Sequence, residues 1–324
     1  MIARRFAGVL VGIAVLLGAV AAPAAERYPD RPIRLIVPTP PGGGADTLAR
    51  FTAQVVEPIL NTRIIIENKP GAGGTIGTGL MTRAKPDGYT LAFIFNGALT
   101  TLPNTMKGVT YTRDDYVPII GIGYSSYVMC VAPAFPANDG KEFIAALKRD
   151  PDKYTYGTDG VGNTMQLAAE RIFRHFGIKQ ISVPFGGAGE TAQNFLSRQI
   201  DIYGGSIQPM LPHLQSGTTK CLLLTSNADN PQVPQASGLE ALGAKGLDSG
   251  LWWGLIGPKD LPRDIIETLY RAYDEAARAP AVVVALERVG AQPVVNDPQQ
   301  MRALIDREYA AFRQVAETLG LAIP

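Results

Sequence analysis

The chain has 324 residues, with 30 Lys and Arg against 29 Asp and Glu, and 46% of its side chains are apolar. Acidic and basic residues alternate along the sequence, which excludes the basic footprint of a nucleic-acid binder. With two cysteines outside any C-x-x-C pair and only two histidines, the spacing of a zinc site is absent, and no metal or cofactor is expected.

The N-terminus has three parts. Arg4 and Arg5 form a basic start, residues 6–20 are uncharged and apolar, and Ala22-Pro23-Ala24 offers a small-x-small cleavage site. This layout predicts a secretory signal over residues 1–25, cut after Ala24 or Ala25. The apolar run is short for the ~20 residues that span a bilayer. Without Arg4 and Arg5 the balance is 28 basic against 29 acidic residues, and some 300 residues remain, enough for two domains.

Strands and helices then alternate. Residues 33–37 read as a buried strand bounded by prolines. Gly42-Gly43-Gly44 breaks it, Asp46 or Thr47 can cap the next helix, and Leu48, Phe51, Val55 and Ile59 recur at helical spacing. Residues 63–67 read as a strand, 77–84 as a helix and 90–95 as another strand. Further strands are expected at 127–132, 154–157, 181–185, 200–203 and 221–225. Helices are expected from Met165 to Phe176, over 190–197, after Pro262, and from Asp297-Pro298 onward. This alternation predicts α/β layers around a mostly parallel sheet. Cys130 and Cys221 both lie in apolar runs. Buried thiols are the reading those surroundings favour, and an oxidising compartment permits a disulfide.

Three segments share one form, an apolar strand followed by a glycine-rich loop and a helix start: residues 38–46, 157–164 and 184–190. Ligands of open α/β sheets gather beyond the carboxyl ends of the strands. Helix N-termini there present unpaired N–H groups and a partial positive charge, and glycine lets a ligand come close. Two such loops facing each other would hold a small carboxylate without Arg or Lys. Catalytic signatures are missing. Gly71-Ala72-Gly73-Gly74-Thr75-Ile76 fails the dinucleotide fingerprint at Ile76. Asp248-Ser249-Gly250 has no histidine placed to complete a triad, since His175 and His213 both read as structural or surface residues. Asp114-Asp115 sits in a polar turn, with nothing to raise a carboxyl pKa. The chain is therefore expected not to be an enzyme.

In order and spacing the segments resemble the Bug family, the solute receptors of tripartite tricarboxylate transporters. The resemblance runs from about Tyr28 to the C-terminus. It is carried by Tyr28-Pro29-Asp30-Arg31-Pro32-Ile33-Arg34, Ile36-Val37-Pro38 with Gly42-Gly43 and Asp46, and Glu67-Asn68-Lys69-Pro70-Gly71-Ala72-Gly73-Gly74. Pro86-Asp87-Gly88-Tyr89-Thr90-Leu91 comes next, and then Val183-Pro184-Phe185, Gln199-Ile200-Asp201, Trp253-Gly254 and Gly290-Ala291.

The resemblance implies an α/β, type II-like periplasmic binding protein of two domains joined by crossing strands, with the ligand cleft between them. Residues 26–125 and 226–324 would form one domain and 126–225 the other. It implies a monomeric periplasmic receptor that captures a small organic acid, or a related amide or amino acid, and hands it to membrane subunits. A sensor subunit of a signalling system or an exported hydrolase are the alternatives. The expected ligand-binding residues are Thr39, Pro40, Gly42, Gly43 and Asp46 on the first loop, and Thr158, Asp159, Gly160, Asn163 and Thr164 on the second. Asn96, Gly97, Gly187 and Asp201 complete the set.

Three departures from the family pattern stand out. Pro40 and Pro41 remove two N–H donors from the first loop. Asp159 stands where small neutral residues are usual, and Gln166 replaces a histidine. If Asp159 points inward it repels an anion and favours a monoacid, an amide or a zwitterion. If it points to solvent, an ordinary dicarboxylate fits.

Overall fold

A computed structural model describes residues 28–323; the expected signal segment lies outside the described residues. The chain runs β1 (Ile33–Val37), α1 (Gly44–Leu60), β2 (Ile64–Asn68), α2 (Thr75–Thr82) and β3 (Thr90–Phe95). A π turn over Gly97–Thr101 leads into α3 (Leu102–Thr105). Then come β4 (Tyr116–Val131), α4 (Gly140–Arg149), β5 (Thr155–Thr158), α5 (Thr164–Phe176), β6 (Ile181–Pro184), α6 (Ala188–Leu196) and β7 (Ile202–Ser206). The remainder is α7 (Leu211–Gln215), β8 (Lys220–Leu224), β9 (Gly250–Pro258), α8 (Arg263–Ala277), α9 (Pro280–Arg288), β10 (Gln292–Asn296) and α10 (Pro298–Thr318).

The strands pair in the order β2-β1-β3-β9-β4-β7-β5-β6, with β8 and β10 also on β4. The first lobe is a βα layer of β1, β2 and β3, in which β1 pairs in parallel with both neighbours. The second repeats it with β5 parallel to β6 and β7. The sheet is mixed rather than mostly parallel, because β4 and β9 run antiparallel to every strand they meet. β4 is 16 residues long and belongs to both lobes. It pairs with β9 from Tyr116 to Ser126, then with β7 from Tyr127 to Val131.

Each lobe has its own apolar core. In the first, Leu35, Leu91 and Phe93 pack against Leu48 and Ala49 of α1 and Leu269 and Tyr273 of α8. In the second, Tyr156, Met165, Ile172 and Phe173 pack on Met129 and Ile202. Val233, Ala236, Leu239 and Ala244 also join the cores of the second lobe. Within residues 226–249, which were expected in the first domain, these four buried side chains pack with the second lobe, and β9 then pairs with strands of the first.

Glycines let helices sit down on the crossing strands. A Cβ at Gly123 would meet Leu286 Cδ2 at 2.3 Å, and one at Gly254 would meet the Ile120 carbonyl at 2.4 Å. Cys130 and Cys221, opposite each other on β4 and β8, form a disulfide rather than two free thiols. Their sequence separation is 91 residues, so the bond closes a long loop in the unfolded chain. The paired Cys130→Ala, Cys221→Ala variant should lose about 2–5 kcal/mol of unfolding free energy, read by urea titration. An unchanged urea midpoint would mean that the bond contributes nothing.

Candidate functional site

Three helix starts follow glycine-rich loops, and two of them, those of α5 and α6, line a cavity between the lobes. Helices α1, α5 and α6 begin at Gly43, Asn163 and Gly187, and none of these residues caps its helix with a side-chain hydrogen bond. The outer helices α4 and α10 are closed differently, by Asp139 and Asp297 side chains accepting first-turn N–H groups. The first-turn donors of α1, α5 and α6 thus have neither a helical partner nor a side-chain cap.

One hydrogen bond shapes all three loops. The residue just before each N-cap donates its backbone N–H to the side chain four residues on, inside the first helical turn. Gly42 donates to Asp46 Oδ2 at 2.9 Å, Gly162 to Gln166 Oε1 at 2.7 Å, and Gly186 to Glu190 Oε2 at 2.7 Å. Asp46 is tied further, accepting from Arg50 at 3.0 Å and from Asn68 Nδ2 at 2.9 Å, while Asn68 also donates to the Thr39 carbonyl. Burial alone would raise the Asp46 carboxyl. The hydrogen bonds from Arg50, Gly42 and Asn68 outweigh it and hold the pKa below the usual carboxylate value. Gln166 has no access to the cleft in this arrangement; its amide also donates to Ser182 Oγ at 3.2 Å, so it holds the loop.

The cleft itself is a cavity of about 260 Å³. Gly73, Phe95, Gly97 and Leu102 line it from the first lobe, and Asp159, Asn163, Thr164, Ala188 and Ser206 from the second. Tyr127 and Leu251, on the crossing strands, form its floor. Thr101 and Thr164 hydroxyls meet across the lobes at 2.9 Å, and Thr105 Oγ1 donates to the Gly162 carbonyl at 2.9 Å. Among the described residues, no Lys, Arg or His contributes to the lining.

Of the residues expected from sequence, Gly97, Asp159, Asn163 and Thr164 are brought together on the cleft. Asn163 Nδ2 donates to the Asp159 carbonyl at 2.6 Å, and the Thr158 hydroxyl leans on the Gly160 carbonyl at 3.4 Å, so Thr158 and Gly160 shape the loop. Gly187 stands one residue before Ala188. Asn96 is fully buried behind the wall, donating to the Gly250 carbonyl at 2.7 Å. Thr39, Pro40, Gly42, Gly43 and Asp46 are not among the lining residues of the cavity.

Asp201 does not belong with them. It precedes β7 and accepts from the Thr155 N–H at 2.8 Å and its hydroxyl at 2.9 Å, at the opposite end of β5 from Thr158. Gly73, Phe95, Leu102, Tyr127, Ala188, Ser206 and Leu251 were not expected. Ala188 and Gly73 lie in glycine-rich segments already singled out, and Gly204-Gly205-Ser206 ends a strand in the same manner.

Two carboxyl groups sit in unusual surroundings. Asp159 points into the cleft, with Oδ1 buried and unpartnered, and burial pushes its pKa up to about 6. Glu308 of α10, 2% exposed, accepts from Trp252 Nε1 at 3.0 Å and Thr100 Oγ1 at 3.3 Å behind the cleft. Burial raises it to about 7, against the opposing hydrogen bond from Trp252.

The sequence profile of the tripartite tricarboxylate transporter family receptor matches residues 48–321. The chain belongs to this family. BugT of Bordetella pertussis is 29% identical over 314 residues, 96% of each chain. A TctC solute binding protein from Polaromonas superposes with a TM-score of 0.81 at 30% identity, over 90% of this chain and 99% of that one. MatC from Rhodopseudomonas palustris, solved with bound malate, gives 0.70 at 25% identity over 89% and 99%. The fold is that of periplasmic binding proteins of this family, and the family is one of solute receptors.

The two raised carboxyls set a pH dependence. Their folded pKa values exceed the unfolded ones, so their contribution to stability is full below about pH 4 and is lost as pH rises through 6 to 7. Asp46, with its depressed pKa, works in the opposite sense and only in more acidic solution. Lowering the pH from 8 to 5.5 should raise the melting temperature by about 2–6 °C. In the Asp159→Asn, Glu308→Gln double variant that rise should vanish.

Proposed function

We propose that this receptor captures a small organic acid, or a related amide or amino acid, in the cleft between its lobes and delivers it to the membrane subunits of a tripartite transporter. One observation carries the reading: two glycine loops, locked in the same way, bring the uncapped starts of α5 and α6 to a cavity with no cationic side chain among the described residues. A carboxylate there is held by backbone N–H groups and helix dipoles. The malate of the similar MatC supports the carboxylate class. The candidate contacts are Gly97, Asp159, Asn163, Thr164, Ala188 and Ser206, with residues 39–46 closing over the rim.

Because β4 runs through both lobes, bending of this strand between Ser126 and Tyr127, where its partner changes from β9 to β7, serves as the hinge. The second domain in this reading spans residues 127–249. The receptor acts in the periplasm as a monomer after removal of residues 1–24 or 1–25. That the family is one of receptors, and that the similar solved structures are binding proteins, supports a binding rather than a catalytic role.

Screening small organic acids, amides and amino acids by thermal shift tests the reading. A solute at a hundredfold excess over its Kd should stabilise the protein by about 2.7 kcal/mol. Ala188→Trp, which fills the cleft from the half-exposed first turn of α6, should abolish the shift while leaving the unliganded melting temperature within a degree or two. A shift that survives Ala188→Trp would place the ligand elsewhere.

A further inference from the structure

The Asp159 carboxyl is out of keeping with a cleft made for dianions. It lines the cavity with Oδ1 buried and unpartnered, and among the described residues it forms no ion pair. A buried carboxylate without a partner is costly, and native structures retain one where something else completes it. The loop cannot turn it away cheaply. Gly160, at φ +141°, is held so closely that a Cβ there would fall 2.3 Å from Asn163 Nδ2, and Asn163 grips the Asp159 carbonyl.

The groups around the carboxyl do not neutralise it. Tyr127 on β4 and Tyr203 on β7 are the ionisable side chains that feel its charge, and both phenols are pushed up and stay protonated. Phe95 and Tyr127 supply aromatic surface to the same cavity. A carboxylate beside aromatic rings, with no Lys, Arg or His in the lining, is the set of partners that an ammonium group seeks.

We infer that Asp159 is the counter-ion of an ammonium group on the solute, so that this receptor takes an amino acid or another amine-bearing monoacid in preference to a dicarboxylate. The inference rests on the proposed receptor function. The solute's carboxylate then meets the uncapped helix starts, and its ammonium meets Asp159. The cavity, at about 260 Å³, limits the solute to a short chain.

Titration calorimetry at pH 7.5 on the mature protein tests it with solutes matched in length. The panel is succinate, succinamate and 4-aminobutyrate; glutarate, glutaramate and 5-aminovalerate; and aspartate, asparagine, glutamate and glutamine. The tightest binder should carry an ammonium group and should exceed its deaminated counterpart by at least about tenfold, as expected for a charge-assisted hydrogen bond. Asp159→Asn should weaken that solute by about ten- to a hundredfold while leaving or improving the dicarboxylates. Asp159→Asn is not expected to unfold the protein, since it removes an unpaired buried charge, and its melting temperature at pH 7.5 should equal or exceed that of the wild type. Tightest binding by a solute without an ammonium group, or less than a threefold effect of Asp159→Asn on the amine-bearing solute, overturns the inference and leaves the receptor function standing. Failure of the folded wild type to bind any member of the panel overturns both.

Discussion

The fold of the site depends on one hydrogen bond used three times. At Gly42, Gly162 and Gly186 a backbone N–H that would otherwise be orphaned is taken by a side chain one helical turn ahead. A side chain at the third helical position can reach back without strain, because it lies over the turn N-terminal to its own Cα. The bond sets the angle at which the loop enters the helix. It also occupies the donor just before the N-cap, while the first-turn donors of the helix have no side-chain cap. Asp46, Gln166 and Glu190 are thus positioning groups, and the glycines between them and the strands are needed because the chain must turn sharply there. Gly42, Gly160, Gly162 and Gly187 all have positive φ in the left-handed region.

The second constraint is the pair of crossing strands. A parallel βα layer buries both faces and ends at its last strand, so two such layers could meet only through loops. β4 avoids this by pairing antiparallel with β9 in the first lobe and with β7 and β8 in the second, which makes the sheet continuous and, with the start of β9, places Tyr127 and Leu251 under the cleft. Glycines at 121, 123 and 254 clear the way for Met301 of α10 and Leu286 of α9. Glu308 then ties the same helix to Trp252 and Thr100. The floor of the cleft is held from behind, and the walls are held by the loop bonds.

The regular βα units were legible because each carries its own period, strand run and glycine punctuation. β1 and β3 fall on residues 33–37 and 90–95, and α5 begins within one residue of Met165. The long strand was not legible. Pro118, Gly121 and Gly123 read locally as breakers, yet bulges at 118–120 and 121–123 absorb them within β4. The stripe expected on α1 is also rotated: Leu48 is buried but Ile59 is 37% exposed, and the small residues Ala45, Ala49 and Ala53 face α8. Close helix packing favours small side chains that a search for bulky ones passes over. For the site, loop residues were legible through glycine, whereas Phe95, Tyr127 and Leu251 are ordinary strand residues that only tertiary pairing brings together. Asp201 misled because a strand-bridging aspartate and a ligand-facing one look alike in sequence.

The charges of the three locks differ, and this shapes the field of the cleft. At α1 the Asp46 carboxylate is neutralised by Arg50, which bonds it at 2.9 Å. At α6 the lock is Glu190, exposed and, among the described residues, in no ion pair, so it offsets the positive end of its own helix. At α5 the lock is the neutral amide of Gln166, and here the helix end keeps its full partial charge. Asp159 lies on this last loop, five residues before Thr164. An acidic lock at position 166 would place a second negative charge over the same turn. The neutral amide of Gln166 adds no charge to the loop that carries the unpartnered Asp159 carboxyl, so the groups built into this loop leave that carboxyl as its one charged side chain.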